Sequence, residues 1–487
     1  MKKLFFAAFL LIFSTVFAED TVFVQLKDSA RKFLKSDFEK CGITYFYKIK
    51  RTDFYAVHTE NKEISLDCFA KSPLVKRAVP DKKMNIQYKS KDPFFENQWH
   101  LLNTGQRGIE GNDAKVAAAW DYLESLGINP GKGVKIGVID DAFDLHHPDM
   151  AGKYLKGLDL VDGDDYPYAD DNEPHGTCVT GVIAAVKDND LGVAGACPEC
   201  KIVPVRSGSA LGEGENMANA FNFVLDQGVQ IISNSWGPAD NGGAEDMPEV
   251  VREIVKYARE NERGGLGTVI FFAAGNGNED ISAVDTFDGY AANDDVIAVG
   301  ALNAYGKRSN YSDFGKDLDV MAPSSDVDGD YVWNPFAADT IKDGIWTIDA
   351  RSWYGYSQSD YTSSFGGTSS ACPLAASVAG LMISAYPELS RDELYEIITK
   401  TADKVSPGDA DYDENGFSEK YGYGRINALA ALQMLCERHE CKGGLPEIKE
   451  ETYEPEDLEM GSDIDEFPDD SMLPVKTTEK GCSVSFI

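Results

Sequence analysis

Five short apolar runs constrain this chain more than any other feature. They are "GVKIGVID" (133–140), "CKIVPVR" (200–206), "GVQIISNSW" (228–236), "GTVIFFAAGN" (267–276) and "DVIAVGAL" (295–302), each meeting polar residues at its carboxyl end. They are too uniformly apolar to be half-exposed strands, so they read as strands buried on both faces. Helical patterns over about 177–187, 216–226 and 246–261 lie between them. Strand and helix in alternation give an α/β domain with a doubly wound, mostly parallel sheet over 92–441. In such a sheet, chemistry gathers at the carboxyl ends of the strands.

The flanks differ in character. Residues 1–18 combine a charged "MKK", the apolar run "LFFAAFLLIF" and "VFA", the pattern of a signal peptide cleaved after Ala18. The run is too short to span a bilayer, and no later stretch is long and apolar enough. The expected mature protein is exported, extracellular or periplasmic, without a membrane anchor. Residues 19–83 follow a β-α-β-β-α-β order, with a helix through 29–40, and imply a small ferredoxin-like α+β domain. Residues 84–91 read as a linker, and 442–487 as an acidic, disordered or loosely attached tail.

Charge adds a partner argument. The chain carries 46 basic and 81 acidic residues, net −35, which disfavours nucleic acid. The balance is uneven: 19–91 is net +6, whereas 92–441 is net −34. The small basic domain and the acidic body should attract. Nine cysteines are too few for a disulfide scaffold at this length. Local pairs are possible at Cys41/Cys68, Cys197/Cys200 and Cys436/Cys441. The "CPEC" of 197–200 could be half a zinc site, but no second CxxC or HxxxH accompanies it.

Three residues sit where a parallel sheet concentrates function. Asp140 ends the first run, His175 opens a helix in "HGTCVTGVIAA", and Ser369 lies in "GGTSSACP" (366–373) before another helix. Singly, each is an ordinary cap, core or turn residue. Together, "VIDDAFDLHHPD" (138–149), "HGTCVTG" (175–181), "AAGNGN" (273–278) and "GTSSACP" (367–373) resemble the blocks of the subtilisin-like serine peptidases, in family order. That resemblance implies a nucleophile at Ser369, a base at His175 oriented by Asp140, and an oxyanion donor at Asn276. Small neighbours around Ser369 would let a substrate backbone approach.

"SWGPADNG" (235–242), "VIDD" and "FDGY" (287–290) resemble the kexin and furin branch more narrowly. The resemblance implies substrate contacts from Ser235, Trp236 and Gly237, with Asp240 and Asp288 at the S1 floor. Asp141 would lie at S2, and Asp246 and Tyr290 at S4. Two carboxylates at a pocket floor suit a guanidinium. The branch's S4 glutamate falls near Met217 or Ala218, its second "DDG" aspartate is Asn241, and its P domain is missing, so only P1 preference carries over.

The family resemblance also implies Ca2+, held by Asp92, Asp149 and Asn189 with the carbonyls of Lys187, Leu191 and Val193; a second, weaker site falls near Asp240 and Asp313. "DYDENG" (411–416) lacks the closing glutamate of an EF-hand loop and reads as a turn. The basic domain resembles an inhibitory propeptide, released at Lys82-Lys83. The expected protein is therefore a monomeric, calcium-stabilised serine endopeptidase cutting polypeptides after Arg or Lys, with its prodomain as intramolecular inhibitor. The alternatives are a broad-specificity subtilisin and an inactive scaffold binding basic peptides. A nucleotide-binding enzyme is excluded by the lack of GxGxxG after the first strand.

Overall fold

The computed structural model describes residues 20–27, 33–48, 53–59, 62–80, 90–168, 173–208, 214–327, 341–351, 355–453 and 485–486. The signal-peptide reading, Lys82-Lys83 and nearly all of the expected linker fall outside them. The chain divides into two compact units, residues 1–88 and 89–487.

In the first unit, β1 (Asp20–Leu26), β2 (Ile43–Lys48), β3 (Phe54–Thr59), α1 (Lys62–Lys71) and β4 (Val75–Pro80) form a sheet of order β2-β3-β1-β4 with α1. All three strand pairs are antiparallel. Alternation in β1 sends Val22, Val24 and Leu26 into a core with Phe33, Phe38, Phe69 and Val57. The helix expected through 29–40 is instead a 3-10 segment, Lys35–Cys41, broken at Phe38. Phe38 leaves helical geometry to stack on Phe33, and Gly42 ends the segment at φ +62. A Cys41–Cys68 disulfide ties it to α1.

The second unit contains α2 (Val116–Ser125), β5 (Lys135–Asp140), β6 (Leu158–Asp159), α3 (His175–Ala184), β7 (Lys201–Arg206), α4 (Gly214–Asp226), β8 (Ile231–Asn234), β9 (Trp236–Gly237), α5 (Glu249–Gly265), β10 (Val269–Ala273), β11 (Ile297–Leu302) and β12 (Val320–Pro323). Seven of the strands make one parallel sheet of order β12-β11-β10-β8-β5-β7-β6. The chain enters at β5, takes β7 on one side, then crosses to β8 on the other. That reversal opens a crevice at the carboxyl end of β5. All five apolar runs are strands of this sheet. Its edges, β6 and β12, were not legible: one is two residues long and the other closes on Pro323.

Beyond the sheet come β13 (Asp326–Val327), β14 (Ile341–Lys342), the β15 (Ile345–Ile348) and β16 (Tyr361–Phe365) hairpin, α6 (Gly367–Ala385), α7 (Arg391–Thr401), the short α8 (Pro407–Ala410), α9 (Ala428–Arg438) and β17 (Ser485–Phe486). Phe221 and Val224 of α4 and Val251 and Val255 of α5 pack with Ile270 and Phe272. Helix α4 comes so close to β5 that a Cβ on Gly137 would lie 2.9 Å from Val224. Contrary to the expectation that no later stretch would be long and apolar enough to cross a membrane, helix α6 is, yet every residue of it is buried in the unit.

Cys197–Cys200 and Cys436–Cys441 are disulfides, so "CPEC" is a closed local bridge. In "DYDENG", the Asp413 carboxylate accepts from the N–H groups of Asn415 and Phe417, which makes a tight turn. Part of the expected tail is described. Residues 442–453 run along the unit: Lys135 pairs with Glu450 at 2.5 Å, and the Tyr453 N–H donates to the Tyr154 carbonyl at 3.1 Å. Tyr453 adds an edge contact to Tyr166, an apolar anchor inside an acidic stretch.

Candidate active site

Three elements deliver one side chain each to the crevice. Asp140 is the last residue of β5, His175 the first of α3, and Ser369 stands in the first turn of α6. The His175 Nδ1 is 2.7 Å from Asp140 Oδ1, and its Nε2 is 2.8 Å from Ser369 Oγ. Carboxylate, imidazole and hydroxyl thus form one proton-transfer line, all three nearly inaccessible. Phe365 packs edge-on against the imidazole, 5.5 Å between centroids, and restrains its tilt.

Sequence chemistry explains how α6 presents Ser369. Gly367 adopts φ +68, a conformation side chains disfavour, and starts the helix abruptly after β16. Pro373 has no N–H, so the Ser369 carbonyl lacks its helical partner. The Ser235 hydroxyl replaces that donor at 3.1 Å, while Ser369 Oγ lies 3.3 Å from the Ser235 carbonyl oxygen. Ser370 turns away and bonds the Ser324 hydroxyl at 2.7 Å.

Asp141, expected at S2, is engaged by the backbone around it. Its carboxylate accepts from the N–H groups of Ala142, His175 and Gly176 at 2.6, 3.0 and 2.7 Å. It caps the helix that carries His175, an anion at a positive helix end. Burial and neighbouring Asp140 push its proton affinity up.

Asn276 faces the same crevice. Its Oδ1 accepts from the Thr368 N–H at 2.9 Å and the Thr368 hydroxyl at 3.2 Å, which fixes the amide. The buried Nδ2 has no hydrogen-bond partner among the described residues. An unpartnered buried donor is costly unless something arrives to accept from it. Thr368 also accepts from the Gly275 N–H, at 3.1 Å. Gly275 sits at φ +110, and a Cβ there would collide with the Asp313 carboxylate at 2.1 Å.

Around this corner lies an acidic cluster. Asp240 Oδ1 accepts from the Asn276 N–H at 2.9 Å, and Asp288 Oδ1 from the N–H groups of Tyr290 and Ala291 at 2.8 and 3.0 Å. Asp313 accepts from the Glu279 N–H at 2.7 Å. Burial pushes the Asp288 carboxyl up to about 7, helped by Glu245 and Asp240. Burial likewise raises Asp240, with Glu279 adding to it, and holds Asp313 well above the carboxylate range. Among the described residues, no lysine or arginine forms an ion pair with Asp240, Asp288 or Asp313.

A second acidic feature surrounds the loop 187–193. Asp92 accepts from the N–H groups of Asp188 and Asn189 at 2.9 and 3.1 Å, and Asp149 from the Asn189 amide and Val193 N–H at 2.8 and 3.0 Å. Both carboxylates are buried, and burial with Asp92 nearby pushes Asp149 up to about 6. Asp188 and Asp190 adopt positive φ, which folds the loop tightly. The Lys187 ammonium turns to Asp188 at 2.6 Å, and among the described residues no other cation pairs with the two carboxylates. Gly192 must be glycine, because a Cβ would enter the Tyr361 ring.

A profile of the Subtilase family matches residues 131–424. The chain is a subtilase. It is similar to a calcium-dependent protease of Nostoc sp., 38% identical over 363 residues, covering 70% of this chain and 51% of that one. It is also similar to neuroendocrine convertase 2 of Bos taurus, 30% identical over 407 residues, 77% and 60% covered. The serine protease of Aeromonas sobria shares the fold at a TM-score of 0.61 and 24% identity, covering 72% and 68% of the two chains. The chain thus spans about half the length of the curated relatives it matches first.

Within this subtilase, Asp140, His175 and Ser369 are joined by hydrogen bonds, Asn276 adjoins Ser369 through Thr368, and Asp149 and Asn189 form a separate cluster with Asp92. The S4 expectation needs correction. Tyr290 is buried against Trp236 and Phe272, 5.6 and 5.8 Å between centroids, and is a core residue. Asp246 is exposed and lies 3.5 Å from Arg252. Trp236 also buries its ring, donating to the Ile139 carbonyl at 3.0 Å, so only its backbone reaches the crevice. Sequence reading missed Thr368, Glu245, Glu279 and Tyr361. The first adjoins Ser369 and Glu279 follows "AAGNGN", but their contacts arise from folding alone.

Proposed function

We propose that this subtilase is an exported serine endopeptidase that prefers Arg or Lys at P1, is stabilised by calcium, and is made as a zymogen. The observation that carries the catalytic reading is the line of 2.7 and 2.8 Å from Asp140 through His175 to Ser369. In that line Ser369 Oγ attacks the scissile carbonyl while His175 Nε2 takes its proton. Asp140 holds the productive tautomer and stabilises the imidazolium. The Asn276 Nδ2 donates to the oxyanion as it forms. Collapse expels the amine, which receives its proton from His175, and a water molecule repeats the sequence to release the acid.

The basic-P1 reading is supported by half-buried Asp240 and buried Asp288, which lack any cationic partner among the described residues. A guanidinium would supply it. Exposed Asp246 and buried Tyr290 support no further basic subsite, so the preference is confined to P1. The first unit serves in this reading as an inhibitory prodomain drawn to the body by its opposite charge.

The catalytic reading is tested with a fluorophosphonate probe. The purified, matured enzyme is expected to be labelled at Ser369, and Ser369→Ala to lose both labelling and hydrolysis. Absence of labelling after prodomain release would favour a binding scaffold.

For calcium, the residues present fit a hard cation. Asp92 and Asp149 are buried oxygen donors with no cationic partner among the described residues, held by one tight loop. Bound there with Asn189 and the carbonyls of Lys187, Leu191 and Val193, the ion would neutralise the carboxylates and fasten residue 92 to the loop. A chelator is expected to lower the melting temperature by about 5 °C, as for a ligand present near 100 times its Kd. An unchanged melting temperature would remove calcium from the reading.

A further inference from the structure

Strand β9 is only two residues long and joins none of the seven strands of the main sheet. Its partner is β17: Ser485 lies opposite Gly237 and Phe486 opposite Trp236, antiparallel. The direction matters. Passing from Gly237 to Trp236, the paired chain runs toward Ser235, whose carbonyl oxygen is 3.3 Å from Ser369 Oγ and whose hydroxyl holds the Ser369 carbonyl. An extended peptide laid along this edge leads straight to the nucleophile. We propose that residues 481–487, "GCSVSFI", are a built-in inhibitor that occupies this substrate edge by strand addition. The inference rests on the proteolytic reading above for its kinetic consequence, though not for the pairing itself.

Composition and reach suit the role. Residues 454–480 carry ten acidic and two basic side chains, whereas 481–487 carry no charge and end in "VSFI", a β-favouring stretch. The neutral segment can therefore approach a body of net −34 that repels the acidic part. Tyr453 anchors the start of the tether through its N–H to Tyr154 and its hydroxyl to the Asp165 carbonyl at 2.6 Å. The 31 residues from 454 to 484 could extend about 100 Å, so length does not limit docking. Main-chain hydrogen bonds along β9 supply the affinity. The segment brings no cation to Asp240 and Asp288, so it competes with a basic substrate without satisfying the acidic cluster.

Tethering sets the size of the effect. A segment at an effective concentration of about 1 mM, binding with a Kd of about 0.1 mM, would raise the apparent KM about tenfold and leave kcat unchanged. The test compares the matured full chain with a variant lacking 481–487 and with Ser485→Pro, which disrupts pairing without shortening the tether. The readouts are KM and kcat on an arginyl peptide substrate, the rate of fluorophosphonate labelling, and amide exchange at 235–237.

Both variants are expected to show KM about tenfold lower, labelling about tenfold faster and amide protection reduced. Added peptide GCSVSFI should inhibit the truncated form competitively. Equal values in all three proteins, with no inhibition by the peptide, would overturn the proposal. If no form hydrolyses or labels, the proteolytic reading fails instead. Amide exchange still decides the pairing in that case: protection present only with an intact 481–487 supports it, and equal exchange overturns it.

Discussion

Asn276→Ala is expected to lower kcat about 10²- to 10³-fold with little change in KM, the loss known for a subtilisin deprived of the same donor. The structural warrant is the orphaned Nδ2. Its partner oxygen is held twice by Thr368, so the amide cannot rotate to relieve the vacant donor. Such a group does little for a planar carbonyl and most for the oxyanion, which places its effect on the transition state. Steady-state kinetics on one good substrate suffices. A loss confined to KM, or below about tenfold in kcat, would show that Asn276 is a turn residue.

Asp288→Ala is expected to cut kcat/KM for arginyl substrates by about 30-fold or more, while phenylalanyl substrates change by only a few-fold. The estimate follows from removing one partner of a buried ion pair, about 2 to 5 kcal/mol. It has a pH counterpart. In the free enzyme the Asp288 carboxyl sits at about 7 because of burial, Glu245 and Asp240, with Asp313 in the same cluster. Below that value the group is neutral and attracts no cation. Affinity for a small guanidinium ligand should therefore rise from pH 5 to pH 8 and flatten in Asp288→Ala. Equal losses on arginyl and phenylalanyl substrates would leave a broad-specificity subtilase.

The buried strands were legible because a parallel sheet covered on both faces leaves uninterrupted apolar runs, and because Asp140 and Asn276 stand at their ends. Contacts joining distant segments were not. Nothing in "FDGY" tells that Tyr290 turns inward onto Trp236 while Asp288 lines the acidic corner. Asp141 read as an S2 contact through its likeness to the kexin and furin branch; only the fold reveals that the N–H groups of His175 and Gly176 engage it. The helix expected through 29–40 failed for a related reason, since Phe38 is drawn into the core at the expense of local geometry. Residues 442–453 looked detachable by composition, yet Tyr453 and Glu450 hold them down.

Pro373 has an effect beyond its own helix. Lacking a donor, it leaves the Ser369 carbonyl to Ser235, so the attacking residue and the strand beside it are fastened at a common joint. Thermal drift of one is then shared by the other. The gap across which a bond must form is protected from motions that would separate two independently hung parts.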